Sequence, residues 1–425
     1  MRWLWILCLA CSASAQVVSF EWTERTAELG LAAFAIPGRA LTAADLDGDG
    51  DFDLLLADRR PASSPAAALK NRGSQGFQQV ALDLVPGVGT DVCAAQGPPG
   101  RPARAFASGP FGLYFAGGTL RGDFRACEVG VSVLGPEPLL YLAAPEGLRA
   151  YAVEDLEPRE PVSAAGCDLR GVLLLPDEAI LTCGQGASQR LGPGGRALTP
   201  VGTGGRASGS RRAAWAAGDI DGDGDADLVE SANDAPPTLN RRAPDGSFVA
   251  EPLPTDGRGL GDALLFDADF DGDLDLALAQ RDRVALFRNA DGRGRFEPAG
   301  AWEVAAAALA EADLDGDRRP EIIARSAEGD LHVYSSRAPG GFLTLRLEGW
   351  DGATAGAAVT LVAGGRRQSR RQAGSGDLHF GLGAETTVDQ LRIVWPSGRG
   401  QLAQGLRTGK AYRVREGAPV ELLEE

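Results

Sequence analysis

Short apolar runs, each bounded by a glycine-rich or acidic turn, recur along the chain and predict strands rather than helices. Leu54-Leu55-Leu56, Leu228-Val229, Leu276-Ala277-Leu278 and Ile322-Ile323 each follow a segment dense in aspartate. A second run comes after a further turn, as in Val284-Ala285-Leu286-Phe287-Arg288-Asn289, and a third kind opens with phenylalanine, at Phe77, Phe248 and Phe296. Before each acidic segment the apolar residues are mostly small: Ala43-Ala44, Ala213 to Ala217, Ala263-Leu264-Leu265, and Ala306 to Leu309. These four kinds of strand predict a four-stranded unit whose innermost strand is crowded. From Phe342 the texture changes to strict alternation, as in Phe342-Leu343-Thr344-Leu345-Arg346-Leu347 and Ala358 to Val362, with a hairpin turn at Gly364-Gly365.

The acidic segments begin at positions 45, 219, 267 and 313, so the last three lie 48 and 46 residues apart, and the 174 residues before them hold four more periods. Between 90 and 205 the acidic segments vanish while strand pairs persist, at Phe106 to Phe115, Leu139 to Tyr151 and Val172 to Thr182. A repeat of this length made of short strands predicts an all-β fold, a seven-bladed β-propeller over 16–340 followed by a small C-terminal β-domain over 341–425. Phe20-Glu21-Trp22-Thr23 resembles the phenylalanine-led outer strands, and it is expected to complete the last blade and close the ring.

The 425 residues include 58 Gly and 26 Pro, which suits turn-rich β-structure and excludes a coiled coil. The net charge of −16 is local: 19 of the 58 acidic residues sit in the four segments, leaving 39 against 42 Lys+Arg. No basic face offers itself to a phosphate backbone, so nucleic acid is not an expected partner. Residues 1–15 read as a signal peptide: Arg2, an apolar run from Trp3 to Ala10, and Ala13-Ser14-Ala15 before Gln16. Cys8 to Cys11 resembles a lipoprotein box without its leading leucine, so cleavage is preferred to lipidation, and no transmembrane segment is expected. The chain is therefore expected to be secreted, periplasmic or at the cell surface. There, Cys93, Cys127, Cys167 and Cys183 allow three disulfide pairings, of which the local ones, Cys93–Cys127 and Cys167–Cys183, are favoured.

Five carboxylates in nine residues repel one another unless a cation sits among them. Carboxylates at positions 1, 3, 5 and 9, with a carbonyl at 7, make a flexible all-oxygen shell that suits Ca²⁺ better than Mg²⁺. The predicted ligands are Asp45, Asp47, Asp49 and Asp53; Asp219, Asp221, Asp223 and Asp227; and Asp267, Asp269, Asp271 and Asp275. Gly50, Gly224 and Gly272 take position 6, where a sharp turn favours positive φ. In the fourth segment the ligands are Asp313, Asp315, Asp317 and Glu321, but Arg318 replaces the glycine at a cost of about 1 kcal/mol if φ is positive. Three strong sites and a fourth weaker one follow, with the cation as a staple rather than a catalyst. No catalytic residue is assigned: the two histidines are His332 and His379, the second expected to be structural. The run Arg366, Arg367, Arg370 and Arg371 is a candidate contact for an anionic glycan or lipid surface.

The acidic segments resemble the FG-GAP/VCBS repeat, whose DxDGDGxxDL loops join the first two strands of a blade. The tail blocks Gly356-Ala357-Ala358-Val359, His379-Phe380-Gly381-Leu382-Gly383 and Val394-Trp395-Pro396-Ser397-Gly398-Arg399 resemble the ASPIC/UnbV domain. The expected function is an extracellular binding or adhesion module for a glycan or protein ligand. The alternative is a secreted polysaccharide-active lyase or hydrolase, which a cleft at the ring centre lined by Arg, Tyr or His would favour.

Overall fold

The apolar run after each acidic segment becomes the second strand of an antiparallel sheet and is buried along its whole length, as in Asp53–Ala57, Asp227–Ser231, Asp275–Gln280 and Glu321–Ser326. Such a strand has neighbours on both faces, which is why its sequence is continuously apolar. The phenylalanine-led strands lie outermost and are largely exposed, as Phe248–Pro252 illustrates. The computed structural model describes residues 21–423, apart from 59–65, 81, 83, 85–86, 96–100, 117, 133–134, 160–167, 176–177, 184–187, 193–195, 202–213, 232–235, 256–258, 350–353, 355 and 373–376. The predicted signal peptide, Phe20, Ala213 and Cys167 lie outside the described residues.

Among the described residues, seven sheets succeed one another between Trp22 and Ser336. Each consecutive pair encloses its own apolar core; for example, Phe266, Leu286 and Trp302 of one sheet meet Leu309, Ile322 and Tyr334 of the next. The last sheet packs against the first in the same way, through Ile323, Leu331 and Val333 on one side and Leu54, Leu56 and Leu69 on the other. The fold is thus an all-β propeller, a ring of sheets around an axis. Trp22–Glu24 pairs antiparallel with Leu331–Ser336 as the outer strand of the last sheet. Trp22 meets Trp302 edge-on at 5.1 Å, and Trp302 stacks on Tyr334 at 4.1 Å. The first and last stretches of the ring are also tied by Arg325, whose buried guanidinium donates to the carbonyls of Ile36 (2.6 Å), Ala57 (2.8 Å) and Ala40.

The favoured disulfide Cys93–Cys127 forms, joining the inner strands Asp91–Ala95 and Ala126–Ser132 of adjacent sheets. Cys183 is disulfide-bonded as well. Beyond Gly341 two four-stranded sheets enclose a separate core that includes Leu345, Leu361, Phe380, Ile393, Trp395 and Val414. Their alternation is clear in Gln390–Val394, where Leu391 and Ile393 are buried between exposed neighbours.

Arg325→Met removes three charge-assisted hydrogen bonds across the ring closure, so a loss of about 3 kcal/mol is expected in chemical denaturation. A change within about 0.5 kcal/mol, the range of an ordinary surface substitution, would show that the closure does not depend on this side chain.

Candidate metal centres

Each acidic segment connects the first and second strands of its sheet, so all four emerge at the same end of the ring. The ninth-position carboxylate is buried and anchors the loop with both oxygens. Asp53 accepts the N–H groups of Leu46 (2.8 Å) and Asn71 (2.7 Å), Asp227 those of Ile220 (3.1 Å) and Arg242 (2.8 Å), and Asp275 those of Ala268 (2.9 Å) and Asn289 (2.8 Å). Glu321 takes the N–H of Leu314 (2.8 Å) and the hydroxyl of Ser335 (2.9 Å). The loop then turns twice through positive φ, at Gly48 and Gly50, Gly222 and Gly224, Phe270 and Gly272, and Gly316 and Arg318. Arg318 does adopt positive φ, at 71°, and Phe270 holds 55° where the other loops have glycine.

Three predicted ligands of each loop bring carboxylate oxygens within 4.8 Å of one another: Asp45, Asp47 and Asp53; Asp219, Asp221 and Asp223; Asp267, Asp269 and Asp271; and Asp313, Asp315 and Glu321. The fourth member of each set (Asp49, Asp227, Asp275 and Asp317) stands outside that cluster. Asp47 Oδ1, both oxygens of Asp219, and Asp267 Oδ1 are buried without a hydrogen-bond partner. Buried carboxylate oxygens are costly in that state, and a hard cation is the partner their chemistry suits. The residues present therefore fit a metal ion in each loop.

A feature invisible at the level of the motif is that every third-position carboxylate carries a basic side chain from elsewhere in the ring. Lys70 and Arg72 reach Asp47 Oδ2 (3.2 and 3.1 Å), Arg241 reaches Asp221 Oδ2 (3.4 Å), Arg288 reaches Asp269 Oδ2 (2.8 Å) and Arg25 reaches Asp315 Oδ2 (3.0 Å). A basic residue beside an asparagine in the third strand, as in Lys70-Asn71, Asn240-Arg241 and Arg288-Asn289, was the available signal.

The arginine run is partly engaged within the molecule. Arg366, though about half exposed, contacts the Asp271 carbonyl and pairs with Asp273 (3.2 Å), Arg367 donates to the Asp223 carbonyl (3.3 Å), and Arg371 is exposed. Arg370 is half-buried, over the Phe380 ring and within electrostatic reach of Asp267 and Glu311. The C-terminal strands thereby lie over the acidic loops. Beneath them a cavity of about 720 Å³ follows the ring axis, lined by Ala43, Ala217 and Leu265 and by the charged or polar groups Glu128, Glu311, Arg370 and His379. Burial pushes Glu128 up to about 8 and Glu311 to about 7, and it lowers His379, whose Nδ1 lies 3.3 Å from Thr344 Oγ1. Glu128 and Glu311 belong to innermost strands and sit in no motif, so nothing in the chain singles them out. Trp395 is buried in the C-terminal core.

Residues 351–421 match the family described as ASPIC and UnbV, and residues 267–324 match the FG-GAP-like repeat. None of the curated proteins matches the chain. Among solved structures, the crystal structure of BBS1N in complex with ARL6DN, soaked with lead, aligns with TM-score 0.52 at 12% identity, covering 75% of this chain and 97% of that one. The WD40 β-propeller domain of Doa1 aligns with TM-score 0.48 at 10% identity, covering 71% and 93%.

Without a cation, burial pushes Asp53 up to about 6, Asp227 to about 7 and Glu321 to about 8, with neighbouring carboxylates adding to the rise. These folded-state values lie above those of an unfolded carboxyl, so the folded chain holds more protons and loses stability as pH rises. In excess chelator the melting temperature should fall between pH 5 and pH 8, and added metal should flatten that dependence. A melting temperature that climbs with pH in chelator would contradict the assignment.

Proposed function

We propose that this β-propeller, with its FG-GAP-like repeat and C-terminal ASPIC/UnbV segment, is an exported binding module whose four acidic loops hold Ca²⁺ as structural staples. The observation that carries the reading is the convergence of three carboxylates in every loop, with partnerless buried oxygens in three of the four. Calcium, rather than magnesium, suits ligands that come from one flexible loop and all present oxygen. Asp45, Asp47, Asp49 and Asp53 would surround the first ion, and the corresponding residues of the second and third loops would do the same. Asp313, Asp315, Asp317 and Glu321 would form the weaker fourth site, where Arg318 sits at positive φ.

Export is supported by the signal-like segment ending at Ala15 and by the disulfide-bonded state of Cys93, Cys127 and Cys183. Among the described residues no helix is long and apolar enough to cross a membrane. The chain divides, in this reading, into a propeller at 16–340 and a β-domain at 341–425. Its ligand is a glycan or protein outside the cell, met by the ring and its loops.

The axial cavity favours a second reading. Two half-buried carboxyls, Glu128 and Glu311, share it with Arg370 and His379, a combination that suits acid–base chemistry on a polysaccharide. A glycan array read for binding and for release of new reducing ends separates the two. Retained, uncleaved glycans support the module, whereas turnover abolished by Glu311→Gln would establish the enzyme instead.

Calcium at 100-fold over its dissociation constant, bound only by the folded chain, adds about 2.7 kcal/mol per independent site. Chelation should therefore lower the melting temperature markedly. Asp223→Ala should cost more than Asp317→Ala, because the fourth loop starts weaker. A melting curve indifferent to chelator, or the reverse order of the two variants, would overturn the calcium reading.

A further inference from the structure

The second and third acidic loops are gripped by the C-terminal strands in a manner that the first is not. In the third loop the Gly381 N–H donates to Asp267 Oδ2 (3.1 Å), the oxygen that also accepts Gly272 N–H (2.9 Å), which leaves the partnerless Oδ1 for a cation. Arg366 binds the carbonyl of Asp271 and the carboxylate of Asp273. The atoms expected to ligate are the other group of each residue, the carboxylate of Asp271 and the carbonyl of Asp273. Arg366 lies farther from the Asp271 carboxylate, at 3.6 Å. Gly383 N–H adds a bond to the Phe270 carbonyl (2.7 Å). In the second loop Arg367 likewise takes the Asp223 carbonyl and leaves its carboxylate to the site.

The sixth-position glycines record the same difference. A Cβ at Gly224 would stand 2.7 Å from the Arg367 guanidinium, and one at Gly272 would stand 2.7 Å from Gln368 Nε2 and 3.0 Å from the Gly381 carbonyl. At Gly50 the nearest such atom is Arg346 Nη1, at 3.9 Å. Two loops are therefore pressed against the C-terminal strands, while the first stands off from them at its sixth position.

We propose that Arg366, Arg367 and the Gly381 N–H are positioning groups for the second and third cation sites, so that metal binding there and docking of the C-terminal β-domain reinforce each other. The proposal rests on the calcium reading above. Cation and domain hold opposite sides of the same loop, each fixing the conformation that the other needs. By reciprocity, whatever factor docking adds to metal affinity, metal adds to docking. The first loop is reached less closely, through the Arg346 guanidinium near Gly50 and Asp45.

The full chain is tested from both directions. In equilibrium dialysis, Arg366→Ala combined with Arg367→Ala should weaken two of the bound calcium ions about tenfold, within the ordinary range of coupling between sites, and leave the first-loop ion unchanged. Conversely, trypsin cleavage after the exposed Arg337 reports undocking. Calcium should slow it about tenfold in the wild-type chain, and Asp269→Asn should speed it far more than Asp47→Asn. Equal cleavage of those two variants, or dialysis curves for the arginine variant that superimpose on wild type, would overturn the coupling while leaving calcium binding intact. A wild-type chain that retains no calcium would overturn both readings.

Discussion

The carboxylate at the ninth position of each acidic loop is the constraint on which the rest of the arrangement depends. Its two oxygens hold the N–H at the loop's second residue and a partner on the third strand, so the loop is fixed to the blade before any cation arrives. The buried asparagines that follow extend this anchorage between blades. Asn71 donates to the Leu314 carbonyl (2.8 Å) and Asn289 to the Ile220 carbonyl (2.9 Å), each inside a neighbouring acidic loop. Fixing the loop forces its remaining carboxylates together, and the resulting repulsion is what a divalent ion relieves. Acidic loop, strand pairing and blade contact thus form one connected system. A change at any of them is felt at the others.

Charge in that system is balanced in layers. At least one basic side chain meets one oxygen of each third-position aspartate, with two at Asp47. These pairs are partly exposed, so each contributes little stability alone, but they keep long carboxylates pointed in a single direction. The arginine-rich strand of the C-terminal sheets adds a second layer from above. Part of its positive charge is used within the molecule, where Arg366 and Arg367 meet the second and third loops.

Much of this architecture was legible in the chain. The spacing of the acidic segments and the sequence of small, apolar and phenylalanine-led strands define a ring of sheets, because each strand's burial follows from its radial position. The outer strand contributed by Trp22 and the Cys93–Cys127 bridge were equally readable. What the residues did not disclose is contact between distant parts. The inward orientation of Arg366 and Arg367 depends on how the tail meets the ring, and the axial carboxyls Glu128 and Glu311 become conspicuous only when seven inner strands converge. The positive φ of Phe270 was missed for a related reason. A bulky residue stands where the other loops have glycine, and its ring is held against Phe342 and the Arg319 guanidinium.

The central claim is that the acidic loops are cation sites of unequal strength. Native mass spectrometry of the mature chain across a calcium titration measures this most directly. The account predicts three ions retained at low free calcium and a fourth only at higher concentration, with magnesium a poor substitute. A chain that stays bare, or that takes up ions in a broad unsaturable distribution, would contradict it.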